Sequence, residues 1–301
     1  MTAQTATGRD PAAGRRTGAT GTPGPAAPRR DWRRALTHLG MSLLALFFLF
    51  PLLFMFIGSF KPDGEVLNQG LGAFVPSGLT VRNYFDAFAR AQFGRLFLNS
   101  LIVSTAVVFS GLIVNSLFGY ALARMRFRGR NLVLAIIIAL IIIPLEAIAV
   151  PLLFIVSGWG WIDTYHVQIL PFVAQPLFIY LFYTFFLDMP RELEEAARID
   201  GAGPLRAFVS VIAPLAKPAY GSVAILSFLF IWGQLLWPVM VTRGPQVRPL
   251  PLGIAEFQNL PPIQWGDIMA FAAMMILPVL VVFVAFQRAF VRGVASQGVK
   301  G

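Results

Sequence analysis

Long apolar stretches alternate with shorter polar connections along most of the chain. A helix of about 20 residues crosses the ~30 Å hydrocarbon core of a bilayer, and these stretches are long enough to do so. They are continuous runs, whereas the strands of a membrane barrel alternate in polarity. Prolines inside several of them are tolerated in membrane bundles, where neighbouring helices satisfy the freed carbonyls. We predict six membrane-spanning helices, at about residues 36–59, 98–122, 132–156, 165–187, 217–241 and 268–290.

The composition indicates that lipid is the main solvent of this chain. It is 57% apolar and 13% charged, with a mean hydropathy of +0.71, whereas soluble domains carry roughly 25% charged residues. The 301 residues include no Cys and two His, His38 and His166. Thiolate sites are excluded, and two distant histidines do not make a metal centre. The prediction is an all-α integral membrane bundle without a metal or cofactor.

The positive charge is distributed unevenly between alternate connections. Eighteen of the 24 Lys and Arg residues lie in the N-terminal segment, the 124–130 loop, the 188–217 connection and the C-terminus. Because positively charged loops resist translocation, both termini are predicted to be cytoplasmic. The loops 60–97 and 242–267 are then outside. No folded basic face remains for a nucleic acid, despite the net charge of +10.

The first 34 residues differ from the rest of the chain. They contain seven Arg among Thr, Gly, Ala and Pro, with almost nothing to bury, so residues 1–34 are predicted to form a disordered basic tail. The apolar run after them has no clear small-residue cleavage site and is interpreted as an uncleaved membrane anchor. The membrane domain is accordingly expected to comprise residues 35–301.

The connection between the fourth and fifth stretches, residues 188–216, is predicted to form two short helices. Asp188 can cap the first helix, and Pro190 suits its first turn. Acidic residues then lie near the positive end of the helix dipole. Small side chains recur at i, i+3 and i+4 and give a narrow face that another protein can approach closely. The acidic residues are Glu192, Glu194 and Glu195, and the narrow face comprises Leu193, Ala196 and Ala197.

Two glycines separate these helices. Gly201 and Gly203 supply a turn that a residue with a Cβ would resist. Beyond them an apolar stripe recurs at i, i+3, i+4 and i+7. A compact amphipathic hairpin is suited to insert into a partner's groove, and the alternative is a surface loop that packs on the bundle. The stripe consists of Leu205, Phe208, Val209 and Ile212.

The same connection carries the most specific motif of the chain. The sequence Glu195-Ala-Ala-Arg-Ile-Asp-Gly-Ala202, followed by Phe208, Ile212, Pro214 and Pro218, resembles the EAA loop of ABC importer permeases. The resemblance implies the ABC type I importer permease fold, a six-helix bundle in which this loop docks on an ATPase subunit. It assigns ATPase coupling to Glu195, Ala196, Ala197, Asp200, Gly201, Phe208 and Pro214.

Further segments narrow the resemblance to carbohydrate permeases of the maltose type, with six spans. They are the Tyr120–Arg130 turn, the third stretch with Pro144 and Pro151, and the tail Gln287–Gly301. Two departures concern substrate detail. The family commonly shows Trp-Asn-Glu-Phe in the fifth span, where this chain has Trp232-Gly-Gln-Leu235. An Arg is usual near the inner end of the fourth span, where this chain has Tyr183-Thr184.

The resemblance implies a transport subunit that is driven by partner proteins. There is no G-x-x-x-x-G-K-[ST] sequence to cradle phosphates, so ATP hydrolysis is expected in two partner ATPase subunits. One EAA loop without an internal repeat implies a second permease chain. An extracytoplasmic solute-binding protein completes the expected assembly in the bacterial plasma membrane. The expected solute is a carbohydrate, with glycerol 3-phosphate and its diesters left open.

Polar side chains inside the stretches are candidates for the translocation path. Glu146, Gln175 and Gln234 fall at similar depths, and polar groups within spans usually face the bundle interior. Nearby, Trp232 and Trp237 could offer aromatic faces to a sugar. The alternative is that these polar groups join helices, at about 0.6 kcal/mol for each interhelical hydrogen bond.

Other classes of membrane protein are disfavoured. A channel or secondary transporter would show a selectivity signature or inverted halves with paired broken helices. An intramembrane enzyme would need facing carboxylates, a Ser/His pair or metal ligands. Two assignments stay open: the 242–267 loop either meets the solute-binding protein or caps the bundle, and the tail from Gln287 either extends toward the ATPases or is a disordered basic end.

Overall fold

The computed structural model describes residues 32–68, 70–259 and 263–298, and the regular elements within these ranges are helices. The chain divides into two compact units, residues 1–50 and 51–301. Most of the predicted basic tail, residues 1–31, lies outside the described residues. The all-helical fold class predicted from the sequence is confirmed.

The helices range from single turns to membrane length. The α-helices of the described residues are α1 Trp32–Ser59, α2 Arg82–Arg90, α3 Phe93–Arg124, α4 Arg130–Ile142, α5 Leu145–Gly158, α6 Tyr165–Ile169, α7 Pro176–Asp188, α8 Glu192–Ile199, α9 Pro204–Ala207, α10 Ala213–Leu215, α11 Lys217–Trp232, α12 Leu236–Val241, α13 Gly253–Asn259 and α14 Trp265–Gly298. Short 3₁₀ turns lie at Asp63–Glu65, Gly70–Ala73, Leu170–Phe172 and Leu250–Leu252, and a π-helical turn at Phe208–Ile212 joins α9 to α10.

Four segments of the described chain are long and apolar enough to cross a membrane without a sharp bend. They are Arg34–Ser59, Phe93–Arg124, Tyr165–Asp188 and Trp265–Phe286. In two further pairs of neighbouring helices, the two helices are long and apolar enough only when they are taken together, and each pair is sharply bent at the break between them. They are α4 with α5, bent by 104°, and Pro204–Leu215 with α11, bent by 79°. The described residues therefore hold up to six spans, if each bent pair is one span.

The third predicted span, residues 132–156, shows the largest departure from the sequence prediction. A continuous helix is predicted there, but the chain bends by 104° between α4 and α5. Pro144 explains the break, because it has no N–H to continue the helix and disfavours helical geometry in the residue before it. Ile143 is accordingly extended, with φ −78° and ψ 113°. The fifth predicted span, residues 217–241, is also divided, since α11 ends at Trp232 and α12 begins at Leu236.

Helices α3 and α7 pack closely because Gly119 has no side chain. A Cβ at this position would lie 2.7 Å from Cβ of Phe182 and 2.9 Å from the backbone nitrogen of Tyr183. Small residues permit this close approach between membrane helices. The buried aromatic cluster beside the contact includes Tyr120, Phe182, Phe186, Phe208 and Ile212.

The connection between α1 and α2 is fixed by two buried polar side chains. The Asn83 amide donates to the carbonyls of Ser59 and Lys61, at 2.9 and 2.7 Å. The Lys61 ammonium is fully buried and donates to the Gly72 carbonyl at 2.7 Å. Buried polar groups are stable only when they are hydrogen-bonded in this way. These bonds hold the connection against the end of α1.

Candidate coupling hairpin and transport path

The 188–216 connection folds as a helical hairpin. Its first arm is α8, with the predicted acidic residues in the first turn. Its second arm runs from α9 through the π-helical turn to α10. The predicted cap was wrong, because Asp188 is the last residue of α7 and the residue that caps α8 is Arg191. The three residues between α7 and α8 carry the chain from one helix to the other.

Gly201 ends the first arm with a Schellman turn. The Ala202 N–H donates to the Ala197 carbonyl at 2.9 Å, and the Gly201 N–H donates to the Arg198 carbonyl at 3.0 Å. This pair of bonds defines the motif and places its glycine in the left-handed region, as the φ of 80° shows. Gly203 has an ordinary φ of −69°. Of the two predicted turn glycines, only Gly201 needs the freedom of glycine.

The predicted apolar stripe of the second arm divides between two environments. Phe208 and Ile212 are buried in the aromatic cluster, whereas Leu205 and Val209 are 65% and 59% exposed. The stripe assumes α-helical spacing, but residues 208–212 form a π-helical turn with a wider repeat. Phe208 therefore supports the hairpin from inside.

Most of the other predicted coupling residues lie at the surface. Ala197 is the exception, since it is buried. Ile199 is 87% exposed, an unusual position for a branched apolar side chain in water, and no pattern in the sequence predicts this exposure. Exposed apolar side chains in a group mark interaction surfaces. The predicted coupling residue Pro214 is also exposed, on α10. We call seven of the exposed residues the hairpin surface: Glu195, Ala196, Ile199, Asp200, Gly201, Leu205 and Val209.

The two tryptophans of the predicted path hold helices together. Trp232 is buried, and its indole N–H donates to the Met275 carbonyl of α14 at 3.1 Å. Trp237 is fully buried, and its indole N–H donates to the Val167 carbonyl of α6 at 2.8 Å. They belong to different hydrophobic clusters. Their placement favours the interhelical interpretation over the offer of aromatic faces to a solute.

A small polar cavity lies where α11 breaks before α12. Its volume is about 10 Å³, close to the ~10–15 Å³ that one water molecule needs. Three buried polar atoms on it have no protein partner: Ser104 Oγ, Gln168 Oε1 and Gln234 Nε2. Gln168 is oriented by its Nε2, which donates to the Val247 carbonyl at 2.8 Å. Of the predicted path residues, Gln234 alone lines the cavity.

The other two path candidates lie elsewhere along the chain. Glu146 is exposed in the first turn of α5, directly after the bend at Pro144. Gln175 precedes α7, and its backbone N–H donates to Asn115 Oδ1 at 2.9 Å. The sequence missed Ser104, Gln168 and Asn115, because single polar residues within apolar helices carry no signal of which backbone or cavity they meet.

Membrane-length helices together with an exposed helical hairpin are typical of a transport permease that docks on partner subunits. Residues 115–296 match the family described as binding-protein-dependent transport system inner membrane component. The chain belongs to this family. The resemblance to carbohydrate-type ABC importer permeases is confirmed, and the chain is a transport subunit of an importer in the cell membrane, which works with an ATPase, a second permease and a solute-binding protein.

Named relatives and a solved structure agree with this family. The chain is 34% identical to the arabinooligosaccharides transport system permease protein AraQ of Bacillus subtilis, over 90% of this chain and 96% of that protein. It is 34% identical to the diacetylchitobiose uptake system permease protein NgcG of Streptomyces coelicolor, over 88% of each. The fold is similar to that of a bacterial ABC transporter involved in the import of the acidic polysaccharide alginate, with a TM-score of 0.77 and 23% identity, over 88% of this chain and 99% of that one.

Proposed function

We propose that this chain forms half of the translocation pathway for an oligosaccharide and receives its driving force through the hairpin surface. The observation that carries the proposal is the exposed EAA hairpin with its fixed Gly201 turn. Its first arm ends in a rigid Schellman turn, and its second arm is held by Phe208 and Ile212 in the aromatic cluster. A rigid element of this kind transmits displacement, whereas a flexible loop would absorb it.

The coupling follows from how ATP changes the partner subunits. When two ATPase subunits close on ATP, a hairpin seated in each is displaced, and the attached spans shift between inward-open and outward-open states. Transport and hydrolysis are coupled only if ATP and solute each bind these states with different affinity. Glu195, Ala196, Asp200 and Gly201 supply the contact, and the exposed Ile199 adds apolar area to it.

The orientation follows from the basic residues. Eighteen of 24 lie on the side of the termini and the hairpin, so these face the cytoplasm, where the ATPases are. The 242–267 loop then faces outward, where a solute-binding protein delivers its ligand. Two ATPase subunits and one second permease complete the assembly.

The solute class is argued from the relatives and from one exposed acid. The names of both relatives mention an oligosaccharide: arabinooligosaccharides in one and diacetylchitobiose in the other. Glu146 is exposed within an apolar pair of helices, although a charged side chain in lipid costs at least ~2.5 kcal/mol. We place it against the second permease, at the wet path between the two chains, where its carboxylate accepts hydrogen bonds from sugar hydroxyls.

The test is an affinity pull-down of the complete transporter from solubilised membranes. Gly201→Asp should lose the ATPase, because an Asp there is strained and alters the hairpin turn. Gly129→Asp is the matched control, since Gly129 also has a positive φ, 84° against 80°, and open space around a Cβ. Retention of the ATPase by both variants, with transport intact, would refute the proposed coupling site.

A further inference from the structure

A buried ion pair joins the hairpin to the end of α3. Nε of Arg124, the last residue of α3, lies 3.3 Å from Oε1 of Glu194 on α8. The two side chains are only 4% and 7% exposed. Charged side chains are almost never buried unless they are paired. The pair therefore marks a fixed contact between the span and the first arm.

Arg124 also holds the junction that leads into the hairpin. Its Nη2 donates to the carbonyl of Met189 at 2.5 Å, one residue after α7 ends. One guanidinium thus donates a hydrogen bond to the start of the connection and forms an ion pair, without a hydrogen bond at Nε, with its first helix. A planar fork of donors can bind two partners at once, whereas a lysine ammonium is a point charge on a flexible stem.

The other charges nearby are arranged differently. Arg198, one turn along α8, lies 3.8 Å from the second oxygen of Glu194 but is 59% exposed. Glu192 and Glu195 on the same helix are exposed, and so are Arg126 and Arg128 on the loop after α3. The helix carries three acids in its first turn, and the fold buries only Glu194. Helix-dipole or solubility effects would not require that burial.

We propose that Arg124 and Glu194 are positioning residues that transmit movement of the hairpin to α3. The inference rests on the proposed coupling function. α3 packs along both α7 and α11, so a displacement that reaches its end reaches the centre of unit 51–301. Besides the ion pair, the first arm is joined to the spans by the chain at 189–191, by Leu193, which packs against the aromatic cluster, and by its packing against the second arm. Of these contacts, the ion pair alone attaches a charged group of the first arm to the end of α3.

The experiment compares variants in the complete transporter reconstituted in vesicles, with solute uptake and ATP hydrolysis measured together. Arg124→Lys keeps the charge but replaces the planar guanidinium with a point charge on a flexible stem, and Glu194→Gln keeps the shape but removes the charge. Each should lower the solute moved per ATP hydrolysed by about fivefold or more, a typical coupling between sites. The ATPase should still co-purify. The matched controls Arg126→Lys and Glu192→Gln should keep the wild-type ratio.

An unchanged ratio in both Arg124→Lys and Glu194→Gln would overturn the inference. If a single variant fails to assemble, the double variant Arg124→Leu with Glu194→Leu removes both charges together, which is better tolerated than an unpaired buried charge. An assembled double variant with wild-type coupling would also overturn it, and an assembled, uncoupled one would support it. A wild-type chain that binds no ATPase would instead refute the proposed function.

Discussion

At the scale of the residue, Gly119 determines how closely α3 and α7 approach. The missing Cβ is the reason that Phe182 and Tyr183 can lie against the backbone of α3. The sequence shows only a glycine in an apolar run, and nothing near it indicates a contact with residues more than sixty positions away. This close approach supports the aromatic cluster that receives the hairpin.

The contact predicts a sharp difference between two glycines. Gly119→Ala should destabilise the chain by about 1–3 kcal/mol, the usual cost of overpacking a filled interior. Gly158→Ala is the control, because no atom lies within 4 Å of a Cβ at that position. The measurement is thermal unfolding of the purified complex in detergent. Equal melting temperatures for the two variants would show that the α3–α7 contact can relax.

The sequence predicts the role of some single residues but not of others. The requirement for Gly201 follows from the sequence, because the motif and the turn lie within a few residues of each other. The ion pair of Arg124 and Glu194 does not, since its partners are seventy residues apart and each stands among similar charges. Burial distinguishes them from their neighbours, and burial depends on the tertiary fold.

At the scale of the element, Asn115 joins α3 to the irregular segment before α7. Its Nδ2 donates to the Val173 carbonyl at 3.1 Å, and its Oδ1 accepts the Gln175 N–H at 2.9 Å. These backbone groups lie where the helix is interrupted between the 3₁₀ turn at Leu170–Phe172 and α7. Irregular backbone at membrane depth is stable when protein groups satisfy it.

Removing this amide should destabilise the break. Asn115→Leu should cost about 1–3 kcal/mol for each backbone group left without a partner. Hydrogen exchange at the Gln175 amide should speed up, and the complex should unfold at a lower temperature. Asn131→Leu on α4, where the side chain is exposed, is the control and should change neither. Unchanged hydrogen exchange at Gln175 would mean that Asn115 does not stabilise the irregular segment before α7.

The sequence predicts elements well where one physical rule dominates. Uninterrupted apolar length predicts the long helices, and α1 and α3 cover the predicted residues 36–59 and 98–122. A proline, by comparison, does not predict whether the helix continues or breaks. Pro51 and Pro278 lie inside continuous helices, whereas Pro144 coincides with a 104° bend. Whether neighbours satisfy the freed carbonyl decides between these outcomes, and the linear pattern does not contain that information.

At the scale of the whole molecule, the chain is built to be covered by lipid and by other proteins. Large apolar side chains are exposed along α1, α4 and α5, as expected where lipid replaces water as solvent. The hairpin surface is polar and apolar at once, which suits a protein partner. Under the proposed function, energy enters at this surface, and the solute passes beside the bundle that the hairpin moves.

The most direct test of this account is site-specific crosslinking at the hairpin surface. The chain has no Cys, so a single Ile199→Cys lets a thiol-reactive photocrosslinker be attached at one position of this chain before it is assembled with its partners. If the ATPase docks on the hairpin surface, Ile199→Cys should form an adduct with the ATPase subunit. Phe85→Cys, at an exposed position on α2, 72% against 87% for Ile199, should give no such adduct. An ATPase adduct at position 85, or none at position 199 in an active complex, would contradict docking of the ATPase on the hairpin surface.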